Sequence, residues 1–302
     1  MRLDILGLGL ATLMIGGCSH GSSSSAASTA GAAQPAASAL LDTPTGAVAG
    51  GYRGFDRNDY PGDDTMAGLH KTFAFTGYWL TNPPGENANS WQGKREILKQ
   101  QGWGFLVLAN GRLDAEILKA EKHGTSPAEL ARTDAAIAVA AARSEGYPAH
   151  TILFLDQEEG GLLLDEQAAY LLAWTEAVAA SDYSAGVYAS GQPVPNGPGQ
   201  TITTIEDIRS RVKAKHLHEI AIFDAQDTCP PAPGCTVQAK PLSASGEPNL
   251  TAWQYSQSPR RPELTRSCAK TYAADGNCYA PGFPATFLDM DLASSPDPSH
   301  GR

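Results

Sequence analysis

The chain carries no run of more than two basic residues, and its 22 Lys and Arg face 32 Asp and Glu, a formal net charge of −10. Nucleic-acid binding rests on basic patches that neutralise phosphates, so this balance excludes nucleic acid as the main partner. The N-terminal apolar run at 5–15 has eleven residues, short of the roughly 20 that cross a bilayer as a helix. Cysteine is scarce, five in 302 residues, and none falls in a CxxC pair. HExxH is missing too, so no metal site is indicated. No GxGxxG follows the first apolar strand, and Ala189-Ser190-Gly191 is only a fragment of the GxSxG elbow of serine hydrolases. No cofactor is implied.

What is present begins with an address. Arg2, the apolar run and the ending Ile15-Gly16-Gly17-Cys18 fit a signal peptide over residues 1–17. The ending resembles a bacterial lipobox, which implies lipidation of Cys18 and anchoring in the cell envelope. A plain secretory signal is the alternative. Residues 18–50 are Ser, Ala, Gly, Thr and Pro with few large apolar side chains, and read as a disordered tether. The tail at 293–302 reads as disordered as well. In an exported chain the four remaining cysteines read as disulfides. Local pairing, Cys229 with Cys235 and Cys268 with Cys278, is the simplest of three connectivities.

Between them, a domain at 51–292 alternates short apolar runs with helical patterns. The runs fall at 52–56, 73–79, 104–109, 151–156, 185–189, 219–224, 251–255 and 286–290. Helical spacing spans 91–101, 126–145, 162–180 and 204–215, with Ser126 as an N-cap and Pro127 at the first turn. Strands separated by helices pair in parallel, because each crossover needs a dozen or more residues. Runs such as Ile152-Leu153-Phe154-Leu155 are apolar on both faces, as for strands covered by helices. Eight strands over about 240 residues predict an α/β fold, a (β/α)8 TIM-type barrel irregular in its last crossovers. An open doubly wound sheet is the alternative.

Carboxylates gather at the predicted strand ends: Asp56 after the first, Asp156 and Glu158 after the fourth, Asp289 and Asp291 in the eighth. In a barrel those ends share one pocket. Asp156 and Glu158 are two residues apart and project to one side, their Cα atoms roughly 6–7 Å apart. Two carboxylates that close repel, so the less solvated one keeps its proton while the other ionises. This is the pairing glycoside hydrolysis uses. Aromatic rings near strand ends, Tyr78, Trp79, Tyr188, Trp253 and Tyr255, could stack on sugar faces. Gln254, Asp224 and Gln226 could bind hydroxyl or acetamido groups. Trp253 and Tyr255 share one strand face and Gln254 the other, so only one set points inward.

With these residues in view, the chain resembles glycoside hydrolase family 25, the exported lysozyme-like muramidases. It resembles more closely a related glycoside-hydrolase-like family of unknown function. The likeness rests on GFDRNDYP at 54–61, FTGYWL at 75–80, ILFLDQE at 152–158, AGVYAS at 185–190, AWQYS at 252–256 and FLDMDL at 287–292. It implies Glu158 as general acid and Asp156 as nucleophile or as the group that steers the substrate N-acetyl. Asp56 and Asp289 would position the sugar. The expected partner is a peptidoglycan-type glycan, with the membrane reached through the lipid anchor. A catalytically inactive glycan-binding barrel or a surface scaffold is the alternative.

Overall fold

The apolar runs become the staves of a closed barrel. The structure is a computed structural model that describes residues 45–227, 234–261 and 271–302, all within the unit Thr43–Arg302. The barrel strands are β1 Gly51–Asp56, β2 Phe75–Trp79, β3 Gly104–Asn110, β4 Ile152–Asp156, β5 Ser184–Ser190, β6 Ala221–Ala225, β7 Ala252–Ser256 and β8 Asp289–Ala293. β1 through β7 pair in parallel, each with the next. β8 closes the ring between β7 and β1.

Helices cover the outside: α1 Asp63–Leu69, α2 Arg95–Gln100, α3 Asp114–Lys122, α4 Pro127–Ser144, α5 Asp165–Ala179 and α6 Thr204–Lys215. α4 starts where its sequence dictates. Ser126 caps it, Glu129 reaches back to the Ser126 N–H at 3.0 Å, and Pro127 fills the first turn, a capping box worth about 1 kcal/mol. Ala131, Ala135, Ala138 and Ala142 form its buried stripe. These small side chains let α4 lie close to α5, which supplies the bulk with Tyr170 and Trp174.

Three expectations need correction. β8 is antiparallel to both neighbours, and it starts at Asp289 rather than Thr286. Among the described residues no helix lies between β7 and β8, only the hairpin of Tyr279–Ala280 and Phe283–Phe287. Without a crossover to carry it to the far end, the chain re-enters the barrel at the end where β7 left it and runs back. The sixth crossover is irregular too; among the described residues it holds only a 3₁₀ turn at Leu242–Ser245.

The tail, expected to be disordered, is the second correction. β3 and β4 begin to pair only at Val107 and Leu153, which leaves backbone groups open where they splay. The tail fills that gap. Ser299 Oγ accepts from the Val107 N–H at 2.8 Å and Asp297 Oδ1 from the Phe105 N–H at 2.8 Å. The Ser299 carbonyl accepts from the Ile152 N–H at 2.9 Å. The Arg95 guanidinium holds the Gly301 carbonyl at 2.6 Å. A Cβ at Gly104 would lie 1.8 Å from the Pro296 carbonyl oxygen, so only glycine admits the tail here. Polar residues thus satisfy backbone groups that a composition argument does not count.

The third correction concerns the disulfide. Cys235 bonds Cys278, 43 residues away, with Cα atoms 5.1 Å apart; neither joins its neighbour in sequence. The hairpin before β8 folds back over the 234–240 segment, and proximity in space replaces proximity along the chain. Cys229 and Cys268 lie outside the described residues, as do Cys18, the signal segment and most of the tether. At the tether's end, Ala47–Val48 already pairs with β1, so ordered chain begins slightly before Gly51.

Candidate active site

Register brings the acids together. Asp56 ends β1 and stands opposite Asp289, the first residue of β8. Because β8 is reversed, its beginning lies at the same barrel end as the last residue of the other strands. Asp156 ends β4 opposite Tyr188 of β5, and Glu158 follows two residues on. A Cβ at Gly77 of β2 would lie 2.5 Å from the Asp56 Cβ, so this glycine makes the room in which Asp56 turns inward. Asp56, Asp156, Glu158 and Asp289 line one cavity of about 360 Å³, with Trp79, Tyr188, Gln254 and Phe287 around them.

A hydrogen-bonded chain fixes the floor. The Tyr188 hydroxyl donates to Gln254 Oε1 at 2.8 Å, and Gln254 Nε2 donates to Asp56 Oδ2 at 2.8 Å. Gln257 Nε2 donates to the Tyr188 oxygen at 3.1 Å. The Ser258 N–H donates to Asp289 Oδ1. The Trp79 indole donates to the Arg57 carbonyl at 3.1 Å, which sets its ring against the cavity. Asp156 Oδ1 has no protein partner although the residue is only 4% exposed.

Burial pushes these acids up. Asp56 rises to about 6, from burial first, with the Gln254 and Asp291 hydrogen bonds opposing and Glu158 adding. Asp156 rises well above the usual carboxylate range through burial, then through Glu158 and Asp56. Glu158 also rises by burial, against the pull of Arg261 and a hydrogen bond with Asp156. Glu158 keeps solvent access to the cavity, and the atoms packed around its other sides still raise it. Asp289 and the fully buried Asp291 rise well above the range for the same first reason, each with Asp56 next. Both members of the β8 pair therefore face Asp56. Asp289 reaches the cavity and Asp291 lies below it, against Asp56.

Strand alternation decides the aromatic and amide positions, and several fall on the wrong face. Tyr78 points into the helix layer, where its hydroxyl accepts from the Arg95 N–H at 3.2 Å, while Trp79 takes the cavity. Trp253 and Tyr255 pack together outside the barrel wall, and Gln254 between them faces in. Asp224 is outward because Phe223 faces the cavity; it is 0% exposed, and burial with nearby Glu247 raises it to about 8. Gln226 is spent on structure, donating to the Gly191 carbonyl at 2.8 Å and accepting the Trp253 indole at its carbonyl. Runs apolar on both faces carry no parity signal, so sequence left each of these faces open.

Sequence reasoning missed Gln257, Ser258, Arg261 and Phe287, which also line the cavity. Gln257 and Ser258 directly follow AWQYS, a signal that was available; Arg261 has none, because it sits in an irregular loop. Among the described residues, no group of three His, Cys, Asp or Glu has the geometry to hold a metal ion. No described helix is long and apolar enough to cross a membrane.

The family model for the Rv2525c-like, glycoside hydrolase-like domain matches residues 74–229, just over half of the 302. The chain belongs to the Rv2525c-like family. The match holds Trp79, Asp156, Glu158 and Tyr188, while Asp56 and Asp289 lie beyond it. No curated protein matches the chain. Several solved structures are similar to the chain. An uncharacterized B. stearothermophilus protein is 20% identical with a TM-score of 0.49, covering 80% of this chain and 95% of its own. The Mycobacterium tuberculosis Tat-secreted protein Rv2525c, solved with L-tartrate, is 10% identical with a TM-score of 0.48, covering 82% and 96%. The catalytic domain of endolysin ply40 from a bacteriophage of Listeria monocytogenes is 14% identical with a TM-score of 0.42, covering 81% and 94%.

Proposed function

We propose that this glycoside hydrolase-like domain is an exported enzyme that cleaves a glycosidic bond in cell-wall-type glycans, with Glu158 and Asp156 as the working pair. The observation that carries the reading is the hydrogen-bonded Asp156–Glu158 pair, open to a cavity that Asp56 and Asp289 also line. Burial raises both members, so the pair holds a proton more readily than exposed carboxyls do. Glu158, the member with access to the cavity, hands it to the glycosidic oxygen as the bond to the anomeric carbon breaks. Asp156 is left as the anion below the developing positive charge.

Inverting enzymes hold their carboxyls roughly 6.5–9.5 Å apart to seat a water between them. Retaining enzymes hold theirs about 5–5.5 Å apart, and the contact between Asp156 and Glu158 supports this closer spacing and a retaining course. Asp156 or the substrate's own acetamido oxygen attacks the anomeric carbon, and water then opens that intermediate with Glu158 as base. Trp79 and Tyr188 supply faces for a sugar ring, and Gln254 keeps Asp56 oriented. For the N-terminus, the proposal is export through residues 1–17 and lipid attachment at Cys18, checked by mass spectrometry of the mature N-terminus.

The test is release of reducing ends from purified sacculi. Wild type releases them, and Glu158→Gln lowers the rate by about a thousandfold or more, as general-acid loss and mispairing of Asp156 combine. Equal release by both proteins overturns the enzymatic reading. No release by either, with sacculus binding retained, leaves a glycan-binding barrel.

A further inference from the structure

An ion pair that the proposed chemistry does not use lies beside the cavity. Asp227 and Arg260 are each about 1% exposed at the side chain, with Nη1 and Oδ1 2.7 Å apart. Arg260 also donates to the Asp227 carbonyl at 2.9 Å, and its guanidinium lies 5.0 Å from the centre of the Tyr272 ring. Tyr272 donates its hydroxyl to Asp227 Oδ2. The Arg260 N–H donates to the Gly276 carbonyl at 2.8 Å. Burying two charges costs about as much in lost hydration as their attraction returns, so net stability does not explain the pair.

Its position does. Asp227 follows β6 by two residues, and it accepts the Gln257 N–H at 3.1 Å. The pair therefore fastens both Gln257 and Arg260 of the 257–261 loop that follows β7. Three contacts of that loop reach the site. Gln257 holds the Tyr188 hydroxyl, Ser258 holds Asp289, and Arg261 stands against Glu158. Arg261 also lines the adjoining groove of about 260 Å³ on the far side of Glu158.

We infer that Asp227 and Arg260 are positioning residues for the Asp156–Glu158 pair: they clamp the 257–261 loop so that Arg261 faces Glu158 and Ser258 faces Asp289. The term positioning rests on the function proposed above; the clamp itself does not. The groups around Glu158 are Asp156 on its own strand, Asp56 from β1, Tyr188 from β5, Asp289 from β8 and Arg261 from the loop. Arg57, the other cation of the cavity, faces Asp59 and Asp289. Arg261 thus favours the ionised form of Glu158 against its burial, and the Asp156 hydrogen bond pulls the same way. Loosening the loop removes that pull, and the proton affinity of Glu158 rises.

The experiment is a carbon-13 carboxyl titration of Glu158 in the exported-length chain, with its signal assigned by loss in Glu158→Gln. Asp227→Asn moves the Glu158 midpoint upward by about one pH unit. Arg261→Gln moves it in the same direction, and the combined variant adds little. Asp227→Asn strands a buried guanidinium and can fail to fold; Asp227→Leu with Arg260→Met removes both charges and decides the question in that case. A folded Leu/Met variant with the wild-type Glu158 midpoint overturns the proposal. So does a shift that adds in full to that of Arg261→Gln. The sacculus assay separates the two claims. An inert wild type whose Glu158 midpoint still follows Asp227 keeps the clamp and discards hydrolysis.

Discussion

Asp224 offers a quantitative perturbation away from the chemistry. Its carboxyl is 0% exposed on the outer face of β6, beside Glu247, which has its own partners in Thr203 at 2.6 Å and Arg209 at 2.9 Å. Burial first and Glu247 second raise Asp224 from 3.8 to about 8, outweighing the opposing pull of Ser245, Gly191 and Arg209. In the unfolded chain it ionises near 3.8. Between those values the folded protein holds a proton that the unfolded chain has lost, and stability falls as pH rises. Each pH unit costs about 1.4 kcal/mol, or about 6 kcal/mol across the window. Relaxation around a buried charge brings the expectation to about 3 kcal/mol by pH 8. Asp224→Asn keeps the shape and removes the titration. In urea unfolding at constant m-value, the variant matches wild type near pH 4 and exceeds it by about 3 kcal/mol at pH 8. The cavity acids titrate in both proteins and cancel in the difference. A difference that stays flat from pH 4 to pH 8 refutes the reasoning.

Other perturbations probe the parts that sequence did not reveal. Ser299→Ala leaves the Val107 N–H without its partner, and lowers stability by about 1–2 kcal/mol; faster hydrogen exchange at Val107 and Ile152 locates the effect. Peptide mapping without reductant finds Cys235 joined to Cys278, and Cys278→Ser lowers stability by about 2–4 kcal/mol in a denaturant titration. Gln254→Leu removes a hydrogen bond that favours ionised Asp56, so Asp56 rises above about 6 and the acidic limb of the pH–rate profile moves to higher pH. An unmoved limb shows that Asp56 does not set it.

The parts of this fold legible in sequence are those with a local cause. The α4 boundaries follow from Ser126, Pro127 and Glu129, and β4 from a run apolar on both faces. The convergence of Asp56, Asp156 and Glu158 was legible because a barrel places strand ends at a common rim; Asp289 joins them through the reversal of β8. Features with a distant cause were not. β8 runs back after the hairpin of Tyr279–Ala280 and Phe283–Phe287, and its pocket-facing residue is its first. The tail is ordered by splayed strands nearly 200 residues earlier, as Ser299 and Val107 show. Inward and outward faces of β6 and β7 needed one fixed residue each, Phe223 and Gln254, to settle the parity of Asp224, Trp253 and Tyr255. Arg261 and the Asp227–Arg260 clamp depend on a loop path that no periodicity encodes.

The most direct measurement is a crystal structure of Glu158→Gln soaked with a cell-wall oligosaccharide. The account predicts a sugar ring against Trp79 and Tyr188, the glycosidic oxygen within hydrogen-bond reach of the substituted amide, and the anomeric carbon facing Asp156. A saccharide bound elsewhere on the surface, with the acid-lined cavity empty at saturating concentration, contradicts it.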